Sequence, residues 1–183
     1  VAVVKTGDSQ PSDRIRVGAP IDGDSRKTLM SSKTDDSDCL KLEGIDAYYG
    51  KLKVLHDVTL RVPLGSVVAL MGGNGSGKST TLKAISGIVS VKNGKIIYKG
   101  KQVPLMQPHK VVKMGIVQVP QHREVFPYLN VKENLAMGAC QRSDKKSIEE
   151  DLEMVYGYFP RLKERRKQLA AGMSGGEQQM LAI

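Results

Sequence analysis

Cysteine and histidine are scarce in this chain of 183 residues, and the few present are scattered. Cys39 and Cys140 stand far apart, neither in a C-x-x-C pair nor beside a histidine, so neither a disulfide framework nor a metal cluster is indicated and both are expected as reduced thiols. His56, His109 and His122 show no ligand spacing. No apolar run approaches the length that crosses a bilayer, and Val1-Ala2-Val3-Val4 is too short for an export signal. Aromatic residues make up only 4% of the chain and are not interleaved with the basic cluster Lys163, Arg165, Arg166, Lys167, which lacks the stacking platform of a single-strand binder and reads as a solvated helix face. Between Asp57 and Glu124 there is no acidic residue at all. A carboxylate base, which must come within about 3 Å of the proton it takes, cannot be drawn from that stretch.

Charge is present, and it is uneven. Residues 1–38 hold 6 of the 28 basic and 7 of the 19 acidic residues, leaving 22 against 12 in residues 39–183. The first segment is rich in Asp, Ser, Gly and Pro without helical or strand periodicity and reads as a disordered or weakly ordered extension. The basic balance therefore belongs to the folded part, where it fits a nucleic acid, an anionic surface or a polyanionic ligand; charge alone does not choose.

The choice comes from residues 72–80, Gly-Gly-Asn-Gly-Ser-Gly-Lys-Ser-Thr, a complete G-x-x-x-x-G-K-[ST] loop. Gly72, Gly73, Gly75 and Gly77 free the backbone to turn its N–H groups toward an anion, with Asn74 and Ser76 between them. Lys78 sets a compact positive charge where the β- and γ-phosphates of a nucleoside triphosphate would lie. The Ser79 hydroxyl can take a place on Mg²⁺, and Thr80 opens the helix whose positive end adds to the cradle.

Periodicity supplies the frame. Leu40 to Tyr49 and Leu55 to Val62 read as strands, and Val67 to Met71 as a buried strand entering the loop. A further strand, Lys95 to Tyr98, follows an Asn93-Gly94 turn; a short helix spans Pro108 to Met114, and Gly115 to Val119 reads as another buried strand. Beyond that the chain turns helical, over Val131 to Ala139 and Ser147 to Phe159, with Glu149, Glu150 and Asp151 in the first turn of the latter.

Met173-Ser174-Gly175-Gly176-Glu177-Gln178-Gln179 then resembles the L-S-G-G-Q signature of ATP-binding cassette (ABC) ATPases. Paired with the upstream phosphate loop, the resemblance is specific. It runs from about Leu40 to Ile183, and Leu55-His56-Asp57-Val58, Val125-Phe126-Pro127 to Glu133-Asn134-Leu135 and Phe159-Pro160-Arg161-Leu162 look most like the ATPase subunits of bacterial branched-chain amino acid importers. Gly73, Met173 and Glu177 stand where the family usually has Pro, Leu and Gln. The fold it implies is an α/β P-loop NTPase with an antiparallel β-subdomain, a parallel-sheet core and a helical subdomain. The nucleotide-binding core would span 39–127, the helical subdomain about 128–173, and the start of the signature helix 174–183.

The resemblance also assigns roles. Tyr49 would stack on adenine, residues 72–80 would hold the phosphates, and Gln121 would contact Mg²⁺ and the attacking water. Ser174, Gly175, Gly176, Glu177 and Gln178 would close on the ATP of a second subunit, homologous or identical. Integral membrane permease subunits would be the partners and the inner face of the plasma membrane the location, with no direct contact to solute. In relatives the strand with the Mg²⁺-associated Asp, the general-base Glu and the switch His follow the signature; the chain stops at Ile183, so the expectation is a partial domain with an incomplete core, inactive and poorly soluble alone. A urea or short-amide importer, a cassette acting on nucleic acid or ribosomes, and a non-hydrolysing remnant stay open as alternatives.

Overall fold

The structure, a computed structural model, describes residues 38–183, which divide into two compact units, residues 38–117 and Gln118–Ile183. The weakly ordered reading of residues 1–38 lies outside the described residues, except that Asp38 already belongs to the first strand.

The first unit is built on a long hairpin. β1 (Asp38–Tyr49) and β2 (Leu52–Pro63) pair antiparallel around Gly50, and β3 (Ser90–Tyr98) joins the other side of β1, followed by the short β4 (Lys101–Gln102), giving the order β2-β1-β3-β4. β1 is central, and its Leu40, Leu42, Ile45 and Ala47 are almost wholly buried beside Leu55 of β2 and Ile96 of β3. α1 (Lys78–Ile85) adds Ala84 and Ile85 to this core, and α2 (Pro108–Lys113), opening on its proline, adds Val111. The pairing slips around Asp46, and there the side chain does the joining. Asp46 accepts hydrogen bonds from the Asp57 N–H of β2 (2.9 Å) and the Asn93 amide of β3 (2.8 Å), and it pairs with Lys53 Nζ at 2.7 Å. The Asn93 bond first, then Lys53 and the Asp57 N–H, hold its carboxyl far below the ordinary range.

Three expectations change here. Asn93-Gly94 is not a turn before a strand but an irregular point inside β3, held by Asp46. Val67 to Met71 and Gly115 to Val119 form no strand: Val67, Met71 and Val117 are 75%, 85% and 60% exposed. A parallel strand exists only with neighbours bonded along its edges, and no described segment pairs with either stretch, so the sheet of the described residues is wholly antiparallel.

The second unit is helical. α3 (Val131–Gly138) starts on a capping box in which the Asn130 side chain accepts from the Glu133 N–H and Glu133 accepts from the Asn130 N–H. α4 (Lys145–Tyr158), α5 (Pro160–Glu164), a single 3-10 turn (Ala170–Gly172) and α6 (Gly175–Ala182) follow, closing on Val131, Tyr156, Leu162, Ala170, Met173 and Leu181. α4 begins two residues earlier than its periodicity suggests, after Asp144, so Glu149, Glu150 and Asp151 lie beyond its first turn. Arg142 instead ties Asp144 to Asp151. Nor do the basic residues 163–167 form one solvated helix face: Lys163 pairs with Glu153 at 2.6 Å and Arg165 with Glu177 at 3.1 Å.

Candidate functional site

The phosphate-loop residues lie on the surface of the first unit, anchored at one end by β2. Gly77 precedes α1 in the left-handed region (φ 89°), and a Cβ there would come 2.6 Å from Leu55 Cδ2, so only glycine lets the loop lie this close to the strand. Thr81 fastens the same point from inside the helix, its N–H and hydroxyl donating to the Gly77 carbonyl at 2.8 and 3.0 Å. Lys78 spans the loop, donating to the carbonyls of Gly72 (2.9 Å) and Gly73 (2.7 Å) and to Ser76 Oγ (3.3 Å). Asn74 and Gly75 form the exposed tip. No side chain caps α1 and no acid lies in its first turn, so its first N–H groups and dipole face outward uncompensated. The Ser79 hydroxyl is exposed and has no partner among the described residues, whereas Thr80 is buried.

Tyr49 ends β1 at the same end of the sheet: it pairs with Leu52, two register positions from the Ala47–Leu55 pair whose Leu55 lies against Gly77. Tyr49 is 45% exposed, while the neighbouring Tyr48 is occupied by Lys92, whose Nζ lies 4.5 Å from the ring centre. Of the two tyrosines, Tyr49 is the one offered outward.

In the second unit Ser174 caps α6 in a second capping box: its hydroxyl accepts from the Glu177 N–H (3.3 Å) and Glu177 Oε2 accepts from the Ser174 N–H (2.9 Å). That backbone bond, helped by Arg165 and Arg161, holds the Glu177 carboxyl below its ordinary range. Gln178 also bonds within its own chain, donating to the Ala170 carbonyl at 2.9 Å. Ser174 and Gly176 remain exposed. Gln121 lies exposed on a turn with no hydrogen bond among the described residues.

Two contributors were not found from the sequence. Leu55, read only as a strand residue, turns out to buttress Gly77. Arg123 sits with its guanidinium 2.8 Å from where a Gly175 Cβ would be and reaches Gln178 Oε1 at 3.5 Å. It does so from a left-handed backbone, φ 65°, followed by Glu124 at φ 42°. Non-glycine residues held there carry about 1–3 kcal/mol of strain each, a feature that clusters where function fixes the backbone. No signal in the residue string marks either contact.

Known proteins similar to this chain are ATP-binding proteins of transporters. The high-affinity branched-chain amino acid transport ATP-binding protein BraG of Pseudomonas aeruginosa is 44% identical over 144 residues, which cover 79% of this chain and 61% of that protein. A probable branched-chain amino acid transport ATP-binding protein, LivF, of Archaeoglobus fulgidus is 38% identical with the same coverage. A solved ATP-binding subunit of an ABC transporter superposes with a TM-score of 0.66 at 30% identity, over 79% of this chain and 59% of that one. The chain thus spans about three fifths of the length of the relatives it matches. Residues 55–183 match the family model described as ABC transporter, and with most of its length inside that match this chain belongs to the ABC transporter family.

Proposed function

We propose that the chain is the nucleotide-binding part of an ATPase subunit that drives uptake through a membrane permease, and that the cargo is a branched-chain amino acid. The observation that carries the first half is the loop itself. An ammonium group drawn across a glycine-rich turn, at a helix start with neither cap nor acid, is a site whose electrostatics favour a polyphosphate. The second half rests on the names of the relatives, both branched-chain amino acid transport ATP-binding proteins.

In this reading Tyr49 stacks on adenine, and the backbone of residues 72–77 wraps the phosphates. Lys78 exchanges its loop carbonyls for β- and γ-phosphate oxygens, so the anion replaces contacts the ammonium already makes. Ser79, whose hydroxyl has no partner among the described residues, would hold Mg²⁺. Among the described residues no three His, Cys, Asp or Glu side chains gather to hold a metal, which fits an ion that takes most of its ligands from phosphate and water. When bound, the ion neutralises charge developing on the γ-phosphate.

Ser174, Gly175 and Gly176 would meet the nucleotide of a second subunit. Their exposed helix start can donate to a γ-phosphate, while the Glu177 and Gln178 side chains hold the α6 start in place. Closure and reopening of such a dimer, passed through the helical unit, would move the permease. We expect the cassette to act at the inner membrane face as a peripheral subunit; no helix of the described residues is long and apolar enough to cross a bilayer.

Calorimetry tests the reading. The chain is expected to bind ATP in a Mg²⁺-dependent way and Lys78→Ala to weaken binding at least about tenfold, which corresponds to about 1.4 kcal/mol. Equal affinity in the two proteins would sink it. Vesicle uptake by the complete transporter, with leucine and urea as competing cargoes, decides the solute.

A further inference from the structure

The helical unit contains a cavity of about 380 Å³ that shares no lining residue with the phosphate loop or the signature. It forms where the start of α3 is laced to the segment after α5: the Val131 N–H donates to the Gln168 carbonyl and the Lys132 N–H to the Arg166 carbonyl, both at 3.1 Å. That lacing sets Lys132 beside Arg166 and Lys167, and all three line the cavity. None of the three has a carboxylate partner among the described residues. Among the described residues, the one side-chain hydrogen bond of Arg166 is a long donation, 3.4 Å, to the Lys163 carbonyl.

Two acids also line the space, and both are engaged. Glu133 Oε2 accepts from the Asn130 N–H in the capping box at 2.8 Å, and Glu153 Oε2 accepts from Lys163 Nζ at 2.6 Å. The remaining imbalance is positive. Tyr156 also lines the space, only 4% exposed, and its hydroxyl is buried without a hydrogen-bond partner among the described residues. Burial raises its pKa above the ordinary phenol value, so the group keeps its proton and has a donor to offer. A buried polar group left unpaired is uncommon in a folded protein and calls for a partner.

We propose that this cavity is a binding site for a small organic anion, whose carboxylate or phosphate oxygens are held by Lys132, Arg166 and Lys167 and whose apolar part rests on Leu152. The volume lies within the range of about 300–1,000 Å³ of small-molecule sites and is too small for a polymer. A planar guanidinium flanked by two ammonium groups suits either kind of anion, since both present paired oxygens. Tyr156 supplies the neutral donor that completes the set.

The test is titration calorimetry of the full chain with phenyl phosphate and, separately, benzoate, in the Lys78→Ala background so that the phosphate loop does not compete. Saturable binding of at least one probe is expected, weakened about tenfold or more by Lys132→Ala combined with Arg166→Gln. Both substitutions lie on exposed side chains, so folding is retained. Tyr156→Phe is expected to weaken binding several-fold while leaving the thermal midpoint unchanged or raised, because it removes an unpaired hydroxyl. Saturation by phenyl phosphate alone identifies a phosphate ligand; saturation by benzoate identifies a carboxylate. If neither probe saturates in the millimolar range, or if binding survives the Lys132/Arg166 double substitution, the site does not exist. Because the decisive loss is read at Lys132 and Arg166, which lie outside the phosphate loop, either result is independent of the nucleotide reading.

Discussion

Gly77 and Asp46 show how single residues hold the first unit together, Gly77 at the phosphate loop and Asp46 across three strands. Gly77 needs both a left-handed backbone and the absence of a side chain, since a Cβ would strike Leu55. Gly77→Ala is therefore expected to destabilise the first unit by about 1–2 kcal/mol from the backbone alone, with a further contribution from overpacking. Leu55→Ala in the same chain should return the overpacking part but not the backbone part. A double-mutant cycle read by denaturant unfolding checks this, and purely additive effects would show that the contact does not matter. Asp46 acts by charge. Its carboxyl is depressed by Asn93, Lys53 and the Asp57 N–H, so the folded state holds the proton more weakly than the unfolded chain does. The stabilisation is thus complete above the unfolded value, about 3.9, and fades as pH falls through and below it. The stability gap between the native chain and Asp46→Asn should be constant from pH 7 to pH 5 and narrow on further acidification; a gap that widens in acid would reverse the assignment.

Among the elements, α6 does two jobs that can be separated. Its start is fixed by the Ser174–Glu177 capping box, and the same start is the surface proposed to meet a second subunit's nucleotide. Ser174→Ala should cost about 1 kcal/mol of stability through the lost cap. Ser174→Asp keeps a capping oxygen and favours the helix dipole, so stability should be retained, yet it sets a negative charge against the incoming γ-phosphate. ATP-driven dimerisation followed by light scattering should therefore fail in Ser174→Asp while ATP binding by the separate subunit persists. Parallel loss of both would mean that α6 acts on the nucleotide of its own chain. The sequence made this element legible because the signature and the phosphate loop are local, Ser174 to Gln178 and Gly72 to Thr80 being short unbroken runs, whereas the capping role of Glu177 emerges only in the structure. Arg123 against Gly175 and Leu55 against Gly77 join residues distant in the chain, and nothing local announces them.

At the scale of the whole chain, pattern and pairing part company. β1, most of β2 and the Lys95–Tyr98 end of β3 are readable because each finds its partner across a hairpin or beside β1, whereas Ser90 to Gly94 carry no strand pattern of their own. Val67 to Met71 and Gly115 to Val119 carry equally apolar strand patterns, yet strand formation depends on hydrogen-bonding neighbours that no described residue supplies. Their side chains are consequently left in water, Met71 at 85% and Val67 at 75% exposure beside the phosphate loop. Contiguous apolar surface of this kind favours association. The 183-residue chain should therefore bind a hydrophobic dye such as ANS strongly and associate as concentration rises, and Val67→Lys with Met71→Lys should reduce both effects, because two charges interrupt the patch. The same stretch bears on turnover. No acid occurs between Asp57 and Glu124 to activate water beside the loop, so the chain should hold ATP while hydrolysing it at a negligible rate. Phosphate release measured on the purified chain checks this, with Lys78→Ala as the control. Robust turnover abolished by that substitution would mean that a carboxylate from another part of the chain reaches the γ-phosphate, and the account of the loop as a cradle without its own base would have to be given up.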